Sequence, residues 1–342
     1  FSNANVGTGK TVNITPSYSG ADVNNYSVTD QSSTTADISA KALTATASAS
    51  NKTYDGGTTA STTLTFTGLV GSETLGQTVG STFDNKNVGS NKTVTVNSIT
   101  LGNGSNGGLA ANYSISAGQT TTANITPKAL TVSGITASNK MYDGNTVATL
   151  SSSNVTYSGI VSGDSFAGSF SGSFSDKNIG TGKTVTITSS YSGTDVSNYT
   201  VTDQSSTTAN ITSRDLEVTG ITVFGLTVNN KEYDGTVTAP LKTDNISYSG
   251  LVEGDDFTGS YSGVFANANV GNGKTVTITS TYSGADAGNY TVTNQSSATG
   301  NIVPKALTAT ASASNKTYDG GTTASTTLTF TGLVGSETLG QT

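Results

Sequence analysis

Residues 184–188 read Thr-Val-Thr-Ile-Thr. The same alternation returns at 275–279 and, as Thr-Val-Thr-Val, at 93–96. Successive side chains of a strand point to opposite faces, so each stretch places its Val and Ile side chains on one face and its Thr side chains on the other. No segment carries a convincing helical stripe of apolar residues at i, i+3, i+4 and i+7. The pattern predicts half-buried strands.

Strand-like segments recur along the whole chain, about every 8–12 residues, with Gly, Asn, Asp or Ser between them. This spacing is typical of a β-sandwich or a small barrel. We therefore predict an all-β protein, a tandem array of small β-sandwich domains. The strand topology stays open between an immunoglobulin-like (Ig-like) sandwich and, as the alternative, a β-grasp-like arrangement.

An internal repeat is marked by the phrase Asn-Lys-x-Tyr-Asp-Gly, which begins at Asn51, Asn139, Asn230 and Asn315. A second phrase, Lys-Ala-Leu-Thr or Arg-Asp-Leu-Glu, begins upstream of each copy and sets the start of each repeat. The predicted parts are a leading segment (1–40) that is the back half of a repeat, repeat 1 (41–127), repeat 2 (128–213), repeat 3 (214–304) and a trailing segment (305–342) that is the front half of another repeat.

The pattern has a period of three repeats. Residues 305–342 are identical to residues 41–78, and residues 1–40 align with 265–304 at the same offset of 264. The leading segment and repeat 3 also carry alanine, Ala4 and Ala268, where repeats 1 and 2 carry Lys86 and Lys177. We expect the chain to be a window cut from a longer array, with ends that fall inside domains. The alanines argue against an essential role for that lysine.

The composition excludes several classes of function. The chain has no His and no Cys, which excludes His-based catalytic triads, thiol nucleophiles, thiolate zinc sites and disulfides. Its net charge of −7 argues against a nucleic-acid partner, because nucleic-acid binders concentrate Lys and Arg on one face. No apolar run approaches the roughly 18 residues of a membrane span, and the first residues do not read as a signal peptide. No membrane span is expected in this chain.

The large residues of each repeat are expected to fill its core, because a domain of this size buries only about 60–65% of its surface. The predicted core residues of repeat 2 are Leu130, Tyr142, Tyr157, Phe166, Phe174, Val185, Ile187, Tyr199, Val201 and Ile211.

The recurring Tyr-Asp-Gly motif has a structural explanation. Asp bonds nearby backbone amides in a turn, Gly supplies a positive φ, and Tyr is expected to fill the core. The motif aspartates, such as Asp143, have no second acid at a fixed spacing for acid–base chemistry. We therefore predict no catalytic residue, no cofactor and no metal site, and a protein that is not an enzyme.

A calcium site and an isopeptide cross-link are the two alternatives to this interpretation. Calcium needs six or more oxygen ligands, and near the recurring position repeats 2 and 3 offer the carboxylates of Asp164, Asp255 and Asp256, while repeat 1 has only Glu73 there. A Lys–Asn isopeptide cross-link would draw on Lys140, Asp143 and Asn198. The glycine-rich stretch 180–184 lacks the P-loop spacing and is predicted to be a hairpin turn.

The boundaries between repeats are short, and two of them contain proline. Ile125-Thr-Pro-Lys and Ile302-Val-Pro-Lys lead from one repeat into the next. Proline holds the preceding residue in an extended conformation, so these connections are expected to be stiff. They carry no carboxylate, so we expect no cation at the junctions and an elongated rod of domains.

The phrases Lys-Ala-Leu-Thr, Asn-Lys-x-Tyr-Asp-Gly, Asp-Lys-Asn-Ile-Gly, Gly-Lys-Thr-Val and Asn-Tyr, in this order, closely resemble the YDG-type repeat. That repeat occurs in large bacterial surface exoproteins of the filamentous-haemagglutinin-like adhesin group. The resemblance covers essentially the whole chain and is fullest in repeat 2. It implies an extracellular location at the bacterial cell surface.

Three functions follow as hypotheses. The first is a structural stalk in a secreted bacterial surface adhesin, since each added repeat extends the array and contacts only its neighbours. The second is a self-assembling extracellular filament or sheath held by strand pairing between copies of the chain. The third is a carbohydrate-binding repeat. The expected partners are neighbouring repeats, other copies of the chain, and host or surface glycans.

Overall fold

The computed structural model describes residues 1–224 and 230–340. Residues 225–229 of repeat 3 and 341–342 of the trailing segment lie outside this description. Within the described ranges the chain consists of strands and loops, interrupted by four three-residue 3-10 helices. The prediction of an all-β protein is confirmed. Among the described residues, no helix is long and apolar enough to cross a membrane.

The strands follow the repeats along the chain. The leading segment contains β1 (Gly7–Asn13) and β2 (Ser33–Ile38). Repeat 1 contains β3 (Lys41–Ala42), β4 (Thr44–Ala49), β5 (Lys52–Thr53), β6 (Thr59–Ala60), β7 (Thr62–Thr67), β8 (Leu75–Phe83), β9 (Gly89–Asn103), β10 (Tyr113–Ser114) and β11 (Thr120–Thr126). Repeat 2 contains β12 (Lys128–Ser133), β13 (Thr136–Ala137), β14 (Lys140–Met141), β15 (Val147–Ala148), β16 (Leu150–Ser151), β17 (Thr156–Ser158), β18 (Ala167–Phe174), β19 (Gly180–Ser192), β20 (Tyr199–Thr202) and β21 (Ser206–Thr212).

The remaining elements belong to repeat 3, to the trailing segment and to the 3-10 helices. Repeat 3 contains β22 (Arg214–Thr219), β23 (Thr222–Val223), β24 (Asn230–Glu232), β25 (Thr238–Ala239), β26 (Leu241–Lys242), β27 (Ser247–Ser249), β28 (Thr258–Phe265), β29 (Gly271–Ser283), β30 (Tyr290–Thr293) and β31 (Ser297–Val303). The trailing segment contains β32 (Thr308–Ala313) and β33 (Thr326–Thr331). The 3-10 helices are Val23–Asn25, Ala110–Asn112, Val196–Asn198 and Ala287–Asn289.

Each repeat folds around a five-stranded sheet of the same order, which is β5-β11-β9-β8-β6 in repeat 1, β14-β21-β19-β18-β15 in repeat 2 and β24-β31-β29-β28-β25 in repeat 3. The short strand that carries the motif lysine pairs parallel with the last strand of its repeat. The backbone N–H of Tyr142 continues this pairing by donating to the carbonyl of Thr212 at 2.9 Å. The motif tyrosine therefore lies where the chain leaves its own repeat for the next one.

A smaller sheet contains the first strand of the repeat. In repeat 2 its order is β17-β12-β20, and β12 pairs antiparallel with β17 and parallel with β20. Repeat 3 has the equivalent sheet β27-β22-β30. These sheets therefore mix parallel and antiparallel pairs.

The burial of side chains follows the alternation of the sequence. In β19, Val185 and Ile187 are buried while the threonines between and beside them are exposed. Of the predicted core of repeat 2, the buried residues are Leu130, Tyr142, Phe174, Val185, Ile187, Tyr199 and Ile211, and the half-buried ones are Tyr157, Phe166 and Val201.

The glycine-rich stretch at 180–183 is part of a strand, so the prediction of a hairpin turn is wrong. β19 begins at Gly180, and its pairing with β21 shifts register between Gly180 and Lys183. The extra residue of this bulge is accommodated because Gly182 has a φ of +60°. Its N–H donates to Asn210 Oδ1 at 2.7 Å.

The described chain divides into two compact units whose boundary runs through repeat 2. The first compact unit consists of Phe1–Gly134, Ser153–Phe170 and Ser189–Gln204. The second compact unit consists of Ile135–Ser152, Ser171–Thr188 and Ser205–Thr342. The first unit therefore contains the leading segment, repeat 1 and three stretches of repeat 2, and the second contains the other stretches of repeat 2 together with repeat 3 and the trailing segment.

Candidate functional site at the repeat junctions

The Asp and Gly of the motif form a turn, as predicted. Asp143 Oδ1 accepts hydrogen bonds from Lys140 Nζ at 2.7 Å and from the N–H of Asn145 at 3.2 Å. Burial opposes ionisation of Asp143, but the bonds from Lys140 and Asn145 outweigh it and lower its pKa. Gly144 has a φ of +79°. Equivalent turns occur at Asp55, Asp234 and Asp319.

The motif tyrosine joins two repeats, which the sequence did not predict. Tyr142 is 0% exposed, and its buried cluster includes Phe174 and Val185 of repeat 2 together with Leu216 and Tyr290 of repeat 3. The rings of Tyr142 and Tyr290 meet edge to face, with centroids 5.5 Å apart. Tyr54 of repeat 1 meets Tyr199 of repeat 2 in the same way, also at 5.5 Å. The tyrosine therefore fills a core shared by consecutive repeats.

In each of the two junctions between complete repeats, one carboxylate accepts hydrogen bonds from two tyrosines. Asp255 Oδ2 accepts from Tyr142 Oη at 2.8 Å and from Tyr290 Oη at 2.5 Å. The Asp255 side chain is only 3% exposed. The matching residues of the first compact unit are Tyr54 and Tyr199, which donate to Asp164 Oδ2 at 2.8 and 2.6 Å. The tyrosine hydroxyl groups of two repeats therefore replace water as the hydrogen-bond donors to this carboxylate.

A lysine completes these two junctions. Lys177 Nζ of repeat 2 lies 3.1 Å from Asp255 Oδ1 and 2.7 Å from Asp286 Oδ1, both in repeat 3. The ammonium group also stands 5.9 Å from the ring centre of Tyr142. The bond from Lys177 lowers the pKa of Asp286, and the two carboxylates raise the pKa of Lys177. One cation therefore balances two carboxylates.

The first compact unit repeats this arrangement. Lys86 Nζ lies 3.1 Å from Asp164 Oδ1 and 2.7 Å from Asp195 Oδ1. Burial opposes ionisation of Asp164, but hydrogen bonds from Tyr199, Tyr54 and Lys86 outweigh it and lower its pKa. In these two junctions the lysine contacts two carboxylates of the next repeat, which the sequence-based argument against an essential role did not foresee.

An asparagine clasps the preceding repeat. Asn289 Oδ1 accepts from the N–H of Ile179 at 3.0 Å, and Asn289 Nδ2 donates to Asn178 Oδ1 at 3.1 Å. The other clasps join Asn198 to Val88 and Asn87, and Asn112 to Val6 and Asn5. The Asn-Val-Gly and Asn-Tyr phrases of the repeat are thus two sides of one contact.

The candidate calcium ligands already have protein partners. Asp164 and Asp255 accept from tyrosine and lysine, and Asp256 Oδ2 accepts from the N–H of Ala285 at 2.9 Å. Among the described residues, no group of three or more His, Cys, Asp or Glu is placed to hold a metal ion. The statement that the junctions carry no carboxylate holds for the proline linkers. It is wrong for the junctions as a whole, because distant segments bring carboxylates there.

The candidate cross-link residues are each held in local contacts. Lys140 Nζ bonds Asp143 and Asn145 within its own turn. The Asn198 side chain bonds Val88 and Asn87 of the preceding repeat. The structure therefore gives each of these groups a structural partner.

Sequence reasoning missed Asp195 and Asp286. Each lies more than one repeat length along the chain from the lysine it binds, so no local spacing relates them. The only available signal was that the lysine and these aspartates vary together among the repeats.

Alkaline pH is expected to destabilise the second compact unit. Burial, reinforced by hydrogen bonds to Asp255, raises the pKa of Tyr142 and of Tyr290 from 10 to about 12. A group with a raised pKa stabilises the fold fully below its ordinary pKa, and that contribution is lost as the pH rises through the folded value. The melting temperature should therefore fall between pH 10 and about 12. Tyr142→Phe should show a smaller fall, and an equal fall would contradict this assignment.

Comparison with known families identifies the repeat. The YDG domain matches residues 39–123, 126–209 and 218–299, three times in tandem and over most of the chain. No curated protein and no solved structure matches the chain significantly.

Proposed function

Since the chain belongs to the YDG domain family, with three domains in tandem, we propose that it is a structural, non-enzymatic spacer. In this proposal it forms the stalk of a secreted bacterial cell-surface adhesin of the filamentous-haemagglutinin-like group. The repeats act as small sandwich domains joined end to end into a rod. The rod holds an adhesive segment away from the cell.

The observation that carries the proposal is the use made of the family motif. Tyr54 and Tyr142 are almost completely buried and join each repeat to the one after it. A motif that served to bind glycans or to catalyse a reaction would have to reach solvent. Here the aromatic ring and the hydroxyl of the tyrosine both contact the next repeat and are buried there. This supports a mechanical role over a binding role.

The repeated contacts also explain how neighbouring domains would be held in a fixed orientation. Each junction between complete repeats combines a shared aromatic core, a doubly bonded carboxylate and an asparagine clasp. Three dissimilar contacts at separate points resist bending and rotation better than a flexible linker does. Stiffness would then come from the junction surfaces as well as from the proline linkers.

The rod is expected to keep its length without calcium. The carboxylates at the junctions, Asp164 and Asp255, are already neutralised by lysine and bonded by tyrosine, so they have little need of a dication. Small-angle scattering of the full chain should give the same maximum dimension with calcium and with a chelator. A marked shortening on chelation would show that metal ions contribute to the stiffness.

Electron microscopy of the native, full-length protein separates the stalk from the other two hypotheses. Isolated rods whose length grows in proportion to the number of repeats support the stalk. Uniform polymers formed from many copies support the filament. A glycan array on which the repeats bind while Tyr142 stays buried supports carbohydrate binding elsewhere on the repeat surface, and it removes the argument from motif burial.

A further inference from the structure

The junctions fall into two chemical types. In the lysine type, Lys86 of repeat 1 faces Asp164 and Asp195 of repeat 2, and Lys177 faces Asp255 and Asp286 in the same way. In the alanine type, Ala4 precedes repeat 1, whose residues at the two acidic positions are Glu73 and Leu109. Ala268 precedes the trailing segment, which has Glu337 at the first of these positions. At the three junctions where both positions lie in the chain, the lysine and the second aspartate are present together or replaced together.

The structure supports this correspondence of positions. Leu109 precedes its 3-10 helix as Asp195 does, and its carbonyl accepts from the N–H of Asn112 at 3.0 Å. Glu73 accepts a hydrogen bond from Tyr113, as Asp164 does from Tyr199. The alanine type therefore keeps an acid that accepts a hydrogen bond from tyrosine. It replaces the lysine with alanine and the second aspartate with leucine.

The clasp is also the same in both types. Asn112 Oδ1 accepts from the N–H of Val6 at 2.8 Å, and Asn198 Oδ1 accepts from the N–H of Val88 at 2.9 Å. At the other alanine-type junction, Tyr233 donates to Glu337 across the repeat boundary. The docking geometry is thus shared, and the difference between the types is one of charge.

The net charge of the two sets is equal. One lysine with two aspartates carries −1, and one alanine with a glutamate and a leucine also carries −1. The unfavourable combination is a repeat with the alanine followed by a repeat with both aspartates. It would hold two carboxylates close together, in a junction where Asp164 is 3% exposed and Asp195 is 10% exposed, without a cation. Leaving buried charge without a partner strongly destabilises a contact.

We propose that this set of residues is a recognition code that determines which repeat can dock on the end of the repeat before it. A repeat that ends in the alanine type accepts only a repeat that begins with Glu and Leu, as repeat 1 does. Repeats 2 and 3 follow only a repeat that carries the lysine. The proposal rests on the proposed function in that it requires neighbouring repeats to be coupled at their ends.

The code works in one direction. A lysine placed before Glu and Leu retains one carboxylate partner, so this mismatch leaves no pair of opposed charges. We therefore expect Ala268→Lys to be tolerated, whereas Lys86→Ala is not.

The test uses hydrogen exchange in the full chain. The amide of Val88 donates across the junction between repeats 1 and 2, and the amide of Ile179 donates across the next junction. Lys86→Ala should reduce the protection of the Val88 amide by about tenfold, less than for a fully buried pair because Lys86 is 37% exposed. Protection of Ile179 should not change, which makes it a control for folding in the same molecule.

Rescue distinguishes the code from simple loss of a contact. Adding Asp195→Leu to Lys86→Ala removes the unpaired charge and should restore most of the protection of Val88. Adding Asp164→Glu as well recreates the alanine type and should restore it further. If the double variant is no better protected than Lys86→Ala, or if Lys86→Ala has no effect, the code is wrong. Failure of the coupling itself would appear separately, as unchanged protection of Ile179 in Tyr142→Ala.

Discussion

Tyr142→Ala is expected to destabilise the second compact unit by about 3–5 kcal/mol, the usual cost of deleting a large buried aromatic side chain. Tyr142 is completely buried among residues of repeats 2 and 3, so the cavity opens in the shared core. The substitution also removes one hydrogen-bond donor from Asp255. Calorimetry or urea unfolding of the full chain should show the loss. The transition that involves repeat 3 should shift as well, because the ring belongs to both repeats.

The chain contains its own control for this prediction. Tyr318 lies in the same motif, but no later repeat among the described residues covers it, and it is 94% exposed. Tyr318→Ala should change the free energy of unfolding by no more than about 0.5 kcal/mol, as for a surface substitution. Tyr142→Phe should cost about 1 kcal/mol, the contribution of the lost hydrogen bond. Equal effects of Tyr142→Ala and Tyr318→Ala would refute the role of the tyrosine in the junction.

Gly144→Ala is expected to cost about 2–5 kcal/mol, from two causes that add. The φ of Gly144 is +79°, a conformation that costs an L residue about 1–2 kcal/mol. A Cβ at this position would also lie 2.8 Å from Cγ1 of Val252 in repeat 3, and overpacking of this kind costs about 1–3 kcal/mol. The motif needs glycine for its turn and for the close approach of the next repeat.

Gly254→Ala separates the two causes. Gly254 has a nearly equal φ of +86°, but a Cβ built there meets no atom within 4 Å. Its substitution should show the conformational cost alone, about 1–2 kcal/mol. The difference between the two variants, measured as free energy of unfolding in urea, gives the contribution of the contact with Val252. Equal losses would mean that the next repeat does not approach Gly144 closely.

Local patterns in the sequence predicted the local structure well. The alternation of Val185 and Ile187 with threonine predicted a strand with one buried face, because the direction of a strand side chain depends only on its position along the strand. The turn at Asp143 and Gly144 was predictable for the same reason. Its hydrogen bonds join residues at most seven positions apart, so one short segment, 140–147, contains all the groups that the turn needs.

Only the tertiary structure decided what the motif tyrosine and the recurring lysine do. Tyr142 meets Asp255 and Tyr290, and Lys177 meets Asp286, across more than one hundred residues of chain in each case. A regular repeat gives each residue an equivalent in every other copy, so spacing alone does not tell whether a side chain contacts its own repeat or the next one. That choice depends on where β14 pairs with β21, at the point where one repeat ends and the next begins. This pairing carries Tyr142 to the junction, and the burial of charge there then requires Lys177 beside Asp255 and Asp286.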